Sequence, residues 1–318
     1  MCQPAALFRF RRTPGAVPPW GCTAGPAGRR LAGAGGSLVS HRPQPHADDS
    51  PARGVTIHDL SAMKRRGERF AMLTAYDFIS ARILDEAGIP VILVGDSLGM
   101  VVLGHDSTVP VTVDQMLHHT RAVARGAARA LVVADLPFGS YQEGRAQALR
   151  TATRFLKEGR ANAVKLEGGG AMVEVTAALT AAGIPVMGHL GLTPQSVNQF
   201  GGFKVQGRHP GSAERIAADA SALAAAGAFS LVLECVPAEL GRRITKTVPI
   251  ATIGIGAGPD TDAQVLVWHD LLGLTSGRLP RFVKQYADLR SEITSAVKAF
   301  ASEVADGVYP ADEHTYGS

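Results

Sequence analysis

The chain is predicted to be an α/β protein, a (β/α)8 TIM barrel with a short N-terminal helix plugging the barrel bottom. Three observations predict this. From Gly54 onward, eight short apolar runs alternate with Ala- and Leu-rich helical segments. The runs are apolar throughout rather than alternating with polar residues, as expected of parallel strands covered on both faces. The 265 residues from 54 to 318 match the roughly 250 that such a barrel takes. A doubly wound open sheet is the competing architecture, but the first strand–helix turn lacks a Gly-x-Gly-x-x-Gly fingerprint.

In chain order, a helix over 56–66 comes first and is placed across the barrel bottom. The strands follow at 70–74, 90–95, 130–134, 163–166, 184–188, 230–233, 249–254 and 271–274. Residues 269–277 (HDLLGLTSG), which hold the eighth run, also read as a loop. Between strands, residues 143–158 place Ala148, Leu149, Ala152, Phe155 and Leu156 on one helical face. Leu289, Ile293, Val297, Phe300 and Val304 form a stripe along the last helix. The sequence AGIP, at 87–90 and again at 182–185, ends two helices, and Gly159 and Gly227 end two more. The segment 191–210 is long and carries Gly201, Gly202 and Gly207. On the catalytic face of a barrel it is a lid candidate.

The formal net charge is +4 and the isoelectric point near 9.1, which raises nucleic acid as a partner. The location of the charge argues against it. Residues 1–53 hold seven arginines and two acids, which leaves 25 basic and 26 acidic residues in the rest. The body is therefore nearly neutral. Residues 1–53 also hold 8 of the 19 prolines and show neither helical nor strand periodicity. They are read as a disordered Arg/Pro/Gly-rich extension, with a start assigned too far upstream or an Arg-rich targeting segment as the other readings. Residues 54–318 form the catalytic domain. Three cysteines do not make a disulfide framework, and no apolar run approaches the roughly 18 residues of a membrane span.

The functional signal is positional. Asp96 follows VILVG, Asp135 follows ALVVA, Glu167 follows AVKL, His189 follows IPVMG and Glu234 follows SLVL. In a barrel these positions ring the C-terminal mouth, where active sites lie. Three converging carboxylates repel unless a cation or a proton holds them. An oxygen-only set suits a hard divalent ion such as Mg²⁺. Each residue also has a purely structural reading. Asp96-Ser97 fits a helix cap, Asp135 before Leu136-Pro137 fits a turn, and Lys165 with Glu167 fits a structural ion pair. Glu234 fits an ordinary strand end, and a lone histidine such as His189 is more often a satisfied core group. Five strand ends sharing one placement favour a site. GIGAGPD (254–260) fits either an anion cradle or close backbone packing. Lys64-Arg65-Arg66 reads as a solvated helix face, and Cys235 lacks a partner for metal binding.

At these residues the sequence resembles the ketopantoate hydroxymethyltransferase family. The matching stretches are LTAYD (73–77), LVGDSLGMVVLGHDSTVPVT (93–112), ADLPF (134–138), VKLEGG (164–169), GHLGLTPQSVNQFGGFKVQGR (188–208), LECVP (233–237), IGIGAG (253–258) and GVYPADEH (307–314). The Ala-, Gly- and Arg-rich composition is similar to that of actinobacterial members. The resemblance implies Mg²⁺-dependent, aldol-type transfer of a one-carbon unit from 5,10-methylenetetrahydrofolate to 3-methyl-2-oxobutanoate, giving 2-dehydropantoate for pantothenate and coenzyme A synthesis. It implies Asp96, Asp135 and Glu167 as metal-site acids. Asp96, Ser97, Asp135, Lys165 and His189 become substrate contacts, and Glu234 the catalytic acid/base. It also implies a homodecamer; a cytoplasmic location, with no nucleic-acid or membrane partner, is expected alongside it. The nearest rival is a Mg²⁺-dependent oxo-acid lyase or mutase of the isocitrate lyase and phosphoenolpyruvate mutase group. That rival does not account for the stretch at 188–208.

Overall fold

The computed structural model describes residues 53–317, so the expected extension, apart from Arg53, lies outside the described residues. Eight parallel strands close into a barrel in chain order. They are β1 (Phe70–Thr74), β2 (Val91–Val94), β3 (Leu131–Asp135), β4 (Ala163–Glu167), β5 (Val186–Gly191), β6 (Ser230–Glu234), β7 (Ala251–Ile255) and β8 (Ala263–Leu266). The helices are α1 (Ile57–Arg66), α2 (Phe78–Glu86), α3 (Leu98–Val101), α4 (Val113–Gly126), α5 (Arg145–Lys157), α6 (Ala171–Ala181), α7 (Val197–Phe200), α8 (Pro210–Ala225), α9 (Ala238–Thr247), α10 (Trp268–Leu271) and α11 (Leu289–Ala305).

The continuous apolar runs reflect two cores, one on each side of the sheet. Met72, Val91, Leu131, Val133, Met187, Val232, Ile253 and Val265 fill the barrel interior. Their neighbours Val132, Ala134, Val164, Leu166 and Val186 point outward and pack with helical residues such as Met116, Phe155 and Leu179. Leu231 and Leu233 do the same against Leu223, Leu240 and Ile244. The plug forms as expected: Leu60 of α1 is fully buried within the interior cluster. The Asp59 carboxylate starts α1 by accepting hydrogen bonds from the Thr56 N–H at 2.8 Å and the Thr56 hydroxyl at 2.7 Å. Lys64 is not simply solvated. It reaches the Asp262 carboxylate at 2.7 Å and the Thr245 carbonyl at 2.9 Å, tying the plug to the barrel floor.

The eighth strand is not where its apolar run placed it. Residues 271–274 lie at the end of α10 and in the turn after it, while β8 is Ala263–Leu266. The cause is coverage. Among the described residues no helix separates β7 from β8, so the turn at 256–262 leads straight into β8, whose Gln264 is exposed. A strand without a helix over it is not apolar on both faces, and a search for apolar runs passes over it. Asp262 fastens the entry by accepting hydrogen bonds from the Thr252 N–H at 2.8 Å and hydroxyl at 3.0 Å. The stripe on α11 exists, but no residue of that helix is buried.

Candidate active site

Side chains alternate along a strand, so the interior core positions determine which polar groups enter the barrel. Asp135 follows Leu131 and Val133 inward. Lys165 and Glu167 follow Ala163, His189 follows Met187, and Glu234 follows Val232. The register sets Asp135 beside Lys165 and Glu167 beside His189. Asp96 and Ser97 come just after β2. Gly95 lets the chain pass there, because a Cβ at that position would lie 2.7 Å from Ser97 Oγ. These seven residues line one cavity of about 430 Å³ at the C-terminal mouth.

The cap reading fails for Asp96 and Ser97, whereas the Lys165–Glu167 ion pair is present at 4.0 Å. The Asp96 carboxylate caps no helix; it accepts a hydrogen bond from Gln195 Nε2 at 2.8 Å. Ser97 sits at the start of α3 without a side-chain cap, and its hydroxyl lies 2.9 Å from the Tyr76 hydroxyl. Asp135 Oδ2 accepts from the Asp96 N–H at 3.1 Å, and Oδ1 lies 3.0 Å from Lys165 Nζ. His189 Nδ1 is 3.2 Å from both Glu167 Oε1 and Lys165 Nζ. When protonated, this nitrogen donates to Glu167, which leaves Lys165 to Asp135. His189 Nε2 stands 3.3 Å from Glu234 Oε2 without hydrogen-bond alignment. GIGAGPD resolves towards close packing, since a Cβ on Gly256 would meet the Phe282 ring at 2.7 Å.

Burial and crowding set the charges. Burial, together with the charges of Asp135 and Glu167, raises the Asp96 carboxyl well above the usual carboxylate range. Burial also raises Asp135, although the Lys165 ammonium opposes it. Burial acts against ionised Glu167 too, but His189 and Lys165 prevail and hold it low. Burial and Lys165 push His189 down, yet Glu167 and Glu234 bring it to about 9, so it is cationic at neutral pH. Burial disfavours the charged form of Lys165, and the three surrounding carboxylates more than offset that. The Cys235 thiol is pushed up to about 12 by burial and by Glu234, which leaves it protonated and unreactive.

Two residues without a role in the sequence reading organise this cluster. Gln195 donates to Asp96 and to the Leu136 carbonyl, while its backbone N–H donates to Glu167 Oε2 at 3.0 Å. Its side-chain oxygen accepts from the Tyr141 hydroxyl at 2.7 Å, and Tyr141 accepts from the Glu167 N–H at 3.1 Å. Both side chains are buried. A glutamine in a loop and a tyrosine before a helix carry no spacing signal, because long-range folding alone brings them to the acids. Residues 191–210 also reach the mouth, where Pro194 and Phe203 line the cavity.

The sequence profile described as ketopantoate hydroxymethyltransferase matches residues 54–312. A protein of Frankia alni named 3-methyl-2-oxobutanoate hydroxymethyltransferase is 58% identical over 288 residues, covering 90% of this chain and 95% of that protein. A protein of the same name from Thermobifida fusca is 59% identical over 280 residues, covering 88% of this chain and all of that protein. Among solved structures, a phosphonopyruvate hydrolase with oxalate and Mg²⁺ shares the fold at a TM-score of 0.53 and 15% identity, over 83% of this chain and 92% of its own. A 2,3-dimethylmalate lyase of the phosphoenolpyruvate mutase/isocitrate lyase superfamily shares it at 0.51 and 16%, over 82% and 91%.

Proposed function

Because the chain belongs to the ketopantoate hydroxymethyltransferase family, we propose that it transfers a one-carbon unit from 5,10-methylenetetrahydrofolate to 3-methyl-2-oxobutanoate. The product is 2-dehydropantoate, a precursor of pantothenate. The observation that carries this reading is the set of motif residues Asp96, Ser97, Asp135, Lys165, Glu167, His189 and Glu234 gathered on one cavity. The likeness to the lyase and mutase barrels is one of fold, so the rival reading keeps no support of its own.

The residues fit Mg²⁺. Among the described residues no three His, Cys, Asp or Glu side chains enclose a metal by themselves. Mg²⁺ does not need such a cage, since it usually takes one or two carboxylates and completes its shell with water and substrate oxygens. Asp96 and Asp135 are the carboxylates for it. Burial raises both carboxyls, with neighbouring carboxylates adding to it, and a bound cation would offset that. Glu167, already bound by Gln195 and His189, acts from further out. When bound, Mg²⁺ supplies Lewis-acid stabilisation of negative charge on the oxo and carboxylate oxygens of the substrate.

The chain's own groups do the rest. Lys165 places its ammonium beside the substrate carboxylate. Glu234, less buried than its neighbours, accepts the C3 proton as that C–H bond breaks. His189 places its Nε2 3.3 Å from Glu234. The new bond forms between C3 and the methylene carbon, and both bonds from that carbon to the donor nitrogens break. A water supplies the hydroxyl, and its second proton and the C3 proton end on the two nitrogens. The 191–210 segment closes over the site and keeps other water out. Asp96 to Glu234 all lie in residues 54–318, which we take as the catalytic domain. We place the enzyme in the cytoplasm as a homodecamer. The exposed stripe of α11 supports assembly, and among the described residues no helix is long and apolar enough to cross a membrane. The test is formation of 2-dehydropantoate by the purified chain. It should require 3-methyl-2-oxobutanoate, the folate donor and Mg²⁺ together, and activity without the folate would contradict the reading.

A further inference from the structure

Asp270 has no part in the chemistry above, yet it lines the same cavity. The groups assigned to the oxo acid come from the ends of β2 to β6. The facing wall, from β8 through residue 282, presents Val267, Leu279 and Phe282 to the cavity, with Arg278 and Thr275 as its other polar side chains beside Asp270. A cavity of about 430 Å³ is of the size that holds a drug-like ligand, more than a five-carbon acid fills. Within this wall stands one carboxylate. The Thr275 hydroxyl donates to Asp270 Oδ1 at 2.6 Å and fixes its direction, and the described residues give Oδ2 no hydrogen-bond partner. A positioned acceptor with a free oxygen, flanked by Val267, Leu279 and Phe282, suits a flat ligand that presents N–H donors at its edge.

We propose that Asp270 recognises the one-carbon donor by accepting hydrogen bonds from the 2-amino and N3–H donors of its pterin ring, which lies against the wall containing Phe282. This rests on the donor assigned under the proposed function. The pterin edge offers two parallel N–H groups, the pattern a carboxylate matches best. Thr275 is the positioning residue, and Asp270 is the contact that separates the pterin from other flat ligands. The ring then lies on the β8 side of the cavity, across from the oxo acid, with its methylene carbon turned towards C3.

The test uses the full chain with Mg²⁺. Tetrahydrofolate and its 2-deamino analogue are titrated by fluorescence quenching, and C3 hydrogen–deuterium exchange of 3-methyl-2-oxobutanoate is followed in D₂O without donor. Wild type should prefer tetrahydrofolate over the 2-deamino analogue by about ten- to a hundred-fold, as expected when a half-buried, positioned acceptor loses its donor. Asp270→Asn should lose that preference and leave C3 exchange unchanged. Equal binding of the two pterins by wild type would overturn the proposal with no variant needed. Retained preference in folded Asp270→Asn would overturn it as well. Absence of both C3 exchange and tetrahydrofolate binding in wild type would instead overturn the proposed function, and this proposal with it.

Discussion

At Asp96 the requirements of stability and of function are opposed. Its carboxyl is buried beside Asp135 and Glu167, which raises it well above its ordinary value. A carboxyl raised in the folded state binds its proton more tightly there than when unfolded. Ionised Asp96 therefore weakens the fold at neutral pH, and stability returns as pH falls through the raised value. Metal-free Asp96→Asn should accordingly melt above wild type at pH 7 to 8 by scanning fluorimetry, with the gap narrowing towards pH 5. Mg²⁺ should raise the wild-type melting temperature and leave the variant nearly unmoved. A lower melting temperature for the variant at pH 8 would contradict this account. His189 has a dependence of the same sign. Its pKa is raised to about 9, so its contribution is complete below about 6.5 and is lost as pH rises through 9. Gln195 touches neither substrate nor metal in this scheme but joins Asp96 to Glu167. Gln195→Leu should raise KM for the oxo acid and weaken Mg²⁺ binding by calorimetry about ten-fold, with the folate affinity held. An unchanged Mg²⁺ affinity would remove its positioning role. The acids were legible from sequence because each ends an apolar run. Gln195, Tyr141 and Asp270 were not, since only the closed barrel brings them to the same cavity.

Among the elements, α1 was readable as a plug because a short amphipathic helix before the first strand of a closed barrel has one apolar place to go. Leu60 fills that place, in contact with the interior floor around Val91 and Leu131. Truncation there leaves a cavity that the rigid strands cannot close. Leu60→Ala should lower stability by about 2–5 kcal/mol in urea unfolding while leaving Mg²⁺ affinity intact. A loss below 1 kcal/mol would mean that α1 is not seated in the barrel. β8 shows the limit of reading apolar runs. With no helix between β7 and β8, the outer face keeps Gln264, and the apolar run Leu271–Leu272 belongs to the segment beyond the barrel. Cys235 is a local departure of another kind. Its φ of 47° lies in the left-handed region, directly after Glu234 at the end of β6.

For the molecule as a whole, the +4 charge says little about partners, because the described barrel is nearly neutral and the excess lies in residues 1–53. The informative large-scale feature is α11. Ile293, Val297, Phe300 and Val304 are each about half exposed along one helix. A contiguous apolar stripe of this kind marks an interaction site. Phe300→Asp should shift the light-scattering mass from the assembly to a smaller species with circular dichroism unchanged. A mass equal to that of wild type would place the subunit contacts elsewhere. The proposed mechanism turns on Glu234 removing the C3 proton within a barrel that binds the oxo acid without it. The most direct measurement is C3 hydrogen–deuterium exchange of 3-methyl-2-oxobutanoate by Glu234→Gln in the presence of Mg²⁺, with calorimetry on the same sample. Exchange should be slower than wild type by about 10²–10⁴-fold with Mg²⁺ and oxo-acid affinities preserved. Exchange at the wild-type rate would contradict that mechanism.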